Sequence, residues 1–247
     1  MKTHLSLILI VLCLSVSFGQ IPEKYKRLNW RMFHSLNWRD SVDYQSDDWK
    51  NMPIEEKNSL FQIPPDELRA MSTDELIEAS IDCYFARRVG KYSTMQRYYK
   101  EVHDGFNGFR ELTMRQVVGR GLIDYYQRIN LQSGVSSPAG LPIKTQIQIL
   151  EYLIASPEVC GLFKAEELGQ LIRVLMQRYS QKGMMPEVFS ERDMISNVYA
   201  LATLLNQKDQ ETRKRIRGIN QMEAFLSSGV FLTQEARSQI MRICKEM

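Results

Sequence analysis

The sequence predicts an all-α protein: an array of helical hairpins, as a bundle or a short α-solenoid, preceded by an aromatic-rich N-terminal arm. Three observations predict it. From about residue 53 onward apolar residues recur at three- and four-residue spacing. Helix start signals recur along the same stretch. No segment shows the period-two alternation of a half-buried strand.

The chain has 247 residues and opens with MKTHLSLILIVLCLSVSFGQ. Lys2 and His4 form a short basic start, Leu5 to Val16 is uncharged and apolar, and Ser17 and Gly19 suit a cut before Gln20. Residues 1–19 therefore read as a secretory signal peptide. The apolar run falls short of the about 20 residues a membrane span needs. An uncleaved anchor is the rival reading. A lipoprotein at Cys13 is rejected, because Leu12 precedes it inside the apolar run. The expected product is secreted or periplasmic, with no transmembrane span after cleavage.

Residues 20–52 form the arm. All three tryptophans, Trp30, Trp38 and Trp49, lie here with Tyr25, Phe33 and Tyr44, and Leu-Asn-Trp-Arg occurs at 28–31 and again at 36–39. Rings beside Arg31 and Arg39 suit contact with a protein, peptide or glycan, because rings stack on apolar faces while the polar groups take hydrogen bonds. Trp30, Trp38, Trp49, Arg31 and Arg39 are thus the candidate contact residues. The alternative is that the rings pack on the helical body, since apolar surface is costly to leave in water. Asp40, Asp43, Asp47 and Asp48 lack the spacing and the turn glycine of a calcium loop, and read as solvated carboxylates near a helix start.

Residues 53–130 form an N-terminal helical half. Ser72 opens STDE, a capping box with Glu75, stapled by Met71 and Leu76, which predicts a helix near 73–88. Ser93 predicts another start. Thr113 opens TMRQ, with Gln116 reciprocal and Leu112 and Val117 as staple, which predicts a helix over 114–129. Val118, Leu122, Tyr125 and Ile129 continue it at helical spacing. Between these, VHDGFNGFREL (102–112) resembles a site by composition. Its position makes it a corner: Gly105 at a helix C-terminus, Asn107-Gly108 as a turn pair, and Phe106, Phe109 and Leu112 pinning it to the core.

Residues 131–142 are a Gly/Ser/Pro loop that either divides two domains or crosses the surface of one. Residues 143–247 form the C-terminal helical half, with starts at Pro142, Ser156-Pro157, Ser190 and Thr233. MQRY recurs at 95–98 and 176–179, but the flanks do not align as a repeat. Arg213, Lys214, Arg215 and Arg217 suit either the end of a helix before Gly218 or an anionic partner.

FNGFRELTMRQVVGRGLIDYY (106–126), with STDELIEASIDCYF upstream, resembles segments of uncharacterised secreted helical proteins of bacteria. The likeness covers about residues 60–130. It implies a secreted helical fold and carries no activity or site residue.

The formal charge of +3 falls to +2 without Lys2, so the chain lacks the electrostatic footprint of a nucleic-acid binder. Cys83, Cys160 and Cys244 remain after cleavage, an odd number that allows three thiols or one bridge of unassigned pairing. His34 and His103 are the only histidines beyond the signal segment, and no zinc-protease helix, nucleophile elbow or phosphate-cradling loop occurs. No cofactor is expected. The sequence reads best as a helical binding or scaffold module. The alternative is a carboxylate-dependent hydrolase of cell-wall or host glycans, because two positioned acids suffice for that chemistry.

Overall fold

The computed structural model describes residues 21–26, 29–35, 39, 42–132 and 140–246. The expected signal segment, Trp38 and most of the Gly/Ser/Pro loop lie outside the described residues. Every regular element among the described residues is helical.

The described residues of the arm include the short helices α1 (Glu23–Lys26), α2 (Trp30–His34) and α3 (Asp47–Asn51). Asp47 and Asp48 occupy the first turn of α3 behind the Ser46 cap, where carboxylates complement the helix dipole. Then come α4 (Ile54–Ser59), α5 (Pro65–Ala70) and α6 (Thr73–Asp82). The Ser72 capping box forms as the sequence predicts: Glu75 N donates to Ser72 Oγ at 3.3 Å, and Ser72 N donates to Glu75 Oε2 at 2.7 Å. The helix ends at Asp82 rather than near residue 88. Tyr84 N leaves the helical ladder to donate to His34 Nδ1 at 2.9 Å, and the chain continues as a 3-10 helix over Ala86–Lys91.

Next stand α7 (Met95–Gly105), α8 (Asn107–Met114) and α9 (Val118–Arg128). Two expectations need correction here. The 102–112 stretch is not a connector, because Asn107-Gly108 opens a helix of its own. The helix expected over 114–129 starts at Val118, and Thr113 does not cap it. Thr113 lies inside α8, with its hydroxyl donating to Arg110 O at 2.8 Å. The reason is a tie distant in sequence. Asn107 Oδ1 accepts from Ile63 N at 2.9 Å while its Nδ2 donates to Ile63 O at 2.8 Å. Gln62 adds a second pair, accepting from Asn107 N and donating to Gly105 O. Gly108 permits the approach, since a Cβ there would lie 2.5 Å from the Phe106 ring.

Beyond the loop lie α10 (Ile143–Ile154), α11 (Pro157–Cys160) and α12 (Ala165–Gly183). A 3-10 turn over Glu191–Met194 leads into α13 (Ile195–Lys208), followed by α14 (Gln210–Arg217), α15 (Met222–Ser228) and α16 (Gln234–Lys245). The expected caps form at Ser156, Ser190 and Thr233. Buried residues run around most of α13, which packs against α10, α12, α14, α15 and α16. A helix apolar on nearly all sides belongs in the middle of a bundle. One core cluster runs from Tyr25 to Cys244, and α9 packs on α12 while α6 packs on α10, so both halves of the chain share it.

A polar group sits in that core. Glu151 and Lys182 are fully buried and paired at 2.6 Å. Tyr126, Ser196 and Asn197 also donate to the Glu151 carboxylate, at 2.5, 2.5 and 3.1 Å. Four helices thereby meet at one carboxylate. Cys83, Cys160 and Cys244 are all free and buried.

Candidate functional site

The cavity between α2 and α6 brings the most chemistry to one place. It holds about 200 Å³ and is lined by Trp30, Arg31 and His34 from α2 and by Glu75, Glu78, Ala79 and Asp82 from α6. The spacing explains the lining. Positions 75, 78, 79 and 82 fall on one face of a helix, as do 30, 31 and 34.

The α2 wall is rigid. Trp30 is 6 % exposed and its Nε1 donates to Glu67 Oε2 at 2.9 Å. The Arg31 guanidinium lies 4.5 Å from the Trp30 ring centroid and pairs with Glu67 Oε1 at 3.0 Å. Glu67 of α5 thus holds both side chains. His34 is 2 % exposed and bound at both nitrogens: Nδ1 accepts from Tyr84 N, which leaves Nε2 to donate to Phe61 O at 2.7 Å. This pair of bonds fixes the neutral tautomer. Burial, chiefly, lowers the His34 pKa to about 4, against the opposing pull of the Phe61 carbonyl.

The α6 wall is acidic. Glu75 is committed to the Ser72 cap, whose backbone and hydroxyl bonds hold its carboxyl below the usual range. Glu78 is raised, first by burial and then by the Asp82, Asp74 and Glu75 carboxylates, with Arg128 opposing. Asp82 is 7 % exposed. Tyr125 of α9 feels the same field: burial and then Glu78, Asp82 and Asp74 raise its hydroxyl. Arg128 answers Asp74 at 2.7 Å, outside the cavity lining. With His34 neutral, the lining holds three carboxylates against one guanidinium that already has a carboxylate partner.

The structure joins two of the sequence candidates, Trp30 and Arg31, in this site. Trp49 lies elsewhere, half-buried against Tyr25 at 5.5 Å and stacked with Phe33 at 6.4 Å. Arg39 sits over the Tyr44 ring at 5.6 Å. Trp38 lies outside the described residues. Sequence reasoning assigned Glu75 only to the Ser72 cap and singled out neither Glu78 nor Asp82. The one available signal was that Asp82 stands between Ile81 and Cys83 in an otherwise apolar stretch.

His103 and Asp104 lie on the surface at the end of α7, 3.1 Å apart, and Asp104 also pairs with Lys100. The basic run of α14 is largely occupied: Arg213 and Arg217 donate to Asn206, and Arg215 pairs with Glu246. No metal-ligating cluster of His, Cys, Asp and Glu occurs among the described residues. No helix among them is long and apolar enough to cross a membrane.

Compared with known protein families, curated proteins and solved structures, the chain finds no match. The functional reading therefore rests on the geometry above.

Proposed function

We propose that this protein is a secreted or periplasmic helical binding module, and that the cavity between α2 and α6 receives a cationic group from a protein or peptide partner. A lysine or arginine side chain is the occupant in view. The observation that carries the reading is the excess of carboxylate over cation in a small cavity with a buried tryptophan wall. An ammonium or guanidinium there meets the carboxylates of Glu78 and Asp82, beside the Arg31 guanidinium that lies over the Trp30 ring. Volume narrows the choice. Pockets for drug-sized ligands span roughly 300–1,000 Å³, so a cavity of about 200 Å³ suits one side chain better than an oligosaccharide.

Glycan hydrolysis fits less well. Its two carboxyl groups must flank the scissile bond, roughly 5–10 Å apart. Here all three acids come from one helix and line one wall. The N-terminal segment supports export, through its basic start, apolar run and small residues before Gln20.

The test is titration with the N-acetyl amides of lysine and arginine, followed by tryptophan fluorescence and by NMR. Saturable binding that Glu78→Gln weakens several-fold is the expected result. No saturation by about 10 mM, an affinity weaker than roughly −3 kcal/mol, overturns the reading. Mass spectrometry of the exported protein should give a chain beginning at Gln20.

A further inference from the structure

A second cavity lies at the opposite end of the chain, between α12 and α16, and its charge is the reverse of the first. It holds about 370 Å³ and is lined by Tyr179 of α12 and by Gln234, Arg237, Ser238, Met241, Arg242 and Lys245 of α16. The α16 residues recur at three- and four-residue steps, so one face of the helix supplies them all. Three are cationic and none is acidic.

Arg237 makes this more than a basic surface. It is 8 % exposed, and its buried Nε has no hydrogen-bond partner. Buried guanidinium groups are normally paired, because an uncompensated buried charge is strongly unfavourable. Arg178 shows a fully paired alternative in this same protein, donating to Tyr126 O, Gln127 O and Gln181 Oε1. Among the described residues no carboxylate pairs with Arg237, Arg242 or Lys245. The nearby acids of α16 are engaged elsewhere, Glu235 with Gln239 and Glu246 with Arg215.

Helix position adds a second argument. Arg242 and Lys245 lie in the last turns of α16, where cations suit the dipole without any ligand. Arg237 lies in the first turn and a half after the Thr233 cap, where the dipole disfavours a cation and favours an anion. We infer that this cavity is a binding site for a phosphate group, held by the fork of Arg237 with Arg242 and Lys245 closing around it. A planar guanidinium matches the oxygens of a phosphate in pairs. The cavity exceeds a bare ion, and Tyr179 and Met241 wall the remainder, so a small phosphate monoester fits as well as inorganic phosphate. This inference is independent of the cation site on α6.

Calorimetric titration with inorganic phosphate and, separately, with glycerol 3-phosphate tests it and tells the two sources apart. Saturable binding of either probe at about 0.15 M chloride, with a shift of the Arg237 Nε–H resonance in the wild-type protein, is the expected result. Arg237→Gln should weaken binding about tenfold or more, the loss of one charge-assisted contact. Should that variant fold poorly, the exposed pair Arg242→Gln/Lys245→Gln should still weaken binding several-fold with the helical fold retained by circular dichroism. Absence of saturation with both probes overturns the inference. So does binding that leaves the Arg237 Nε–H signal unmoved, because the site would then be a surface patch only.

Discussion

Asn107 grips the Ile63 peptide unit from both sides: its Oδ1 accepts from Ile63 N at 2.9 Å and its Nδ2 donates to Ile63 O at 2.8 Å. One amide side chain thus replaces the backbone partner that a sheet would have supplied. Asn107→Ala leaves a donor and an acceptor unmet in a partly buried place, each worth about 1–3 kcal/mol. The expected loss is about 2–4 kcal/mol in urea unfolding. Asn107→Asp keeps the acceptor but sets a carboxylate oxygen against Ile63 O, and should cost at least as much.

Gly108 stands beside that grip. A Cβ would meet Phe106 at 2.5 Å and the Ile63 side chain at 2.9 Å. Both neighbours are buried, so neither moves freely. Gly108→Ala should therefore destabilise by about 1–3 kcal/mol, the range for overpacked cores. A melting temperature at or above wild type would show that the contact relaxes at no cost.

The Glu151–Lys182 pair allows a cleaner charge experiment. Lys182→Met keeps the chain length and removes the only cation that contacts Glu151 among the described residues. Breaking one side of a buried pair is expected to cost about 3–5 kcal/mol. Tyr126, Ser196 and Asn197 still donate to the carboxylate, which places the loss toward the lower end. Chemical denaturation at pH 7 reads it directly.

His34 should give the protein an acid-sensitive window. Its folded pKa is lowered to about 4 from an ordinary 6.5. Between these values the unfolded chain binds a proton that the folded chain refuses. Stability from this group is complete above pH 6.5 and drains away as pH falls toward 4, by on the order of 3 kcal/mol. His34→Gln should lower stability at pH 7 and flatten the slope across that window. An unchanged slope in the variant would assign the acid sensitivity to other groups.

The thiols give a simple count. Burial raises the pKa of Cys83, Cys160 and Cys244 to about 12 each, so little thiolate forms near neutrality. In the chain from Gln20 onward, a thiol reagent should react slowly with the native protein. It should titrate all three groups after denaturation without reductant.

The helical class was legible because it depends on local spacing and local caps. Ser72, Ser190 and Thr233 form their caps within three residues of themselves, so sequence alone suffices for them. Asn107-Gly108 misled for the opposite reason. Its local preference is a turn, and its actual partner lies 44 residues upstream. Thr113 had a complete capping signature, yet α8 runs through it because Phe109 and Leu112 are buried as helix residues. The candidate site was half legible. An aromatic ring beside an arginine marked Trp30 and Arg31, whereas Glu78 and Asp82 gained meaning only when α2 was laid against them. Arg237 carried no sequence signal, since a buried and an exposed arginine read alike.

The burial of α2 has a consequence for the order of assembly. Trp30 and His34 pack on Phe106, at 6.2 and 4.8 Å between centroids, and His34 bonds Phe61 and Tyr84. A chain emerging from its N-terminus presents Trp30 some 76 residues before its companion ring exists. This early segment thus finds its place only after much later ones are made, and until then Phe61 and Phe106 lack their cover. Cutting the chain back past His34 would leave that aromatic surface open for good. Aggregation of the shortened protein, with helicity largely kept, is the outcome this seam dictates.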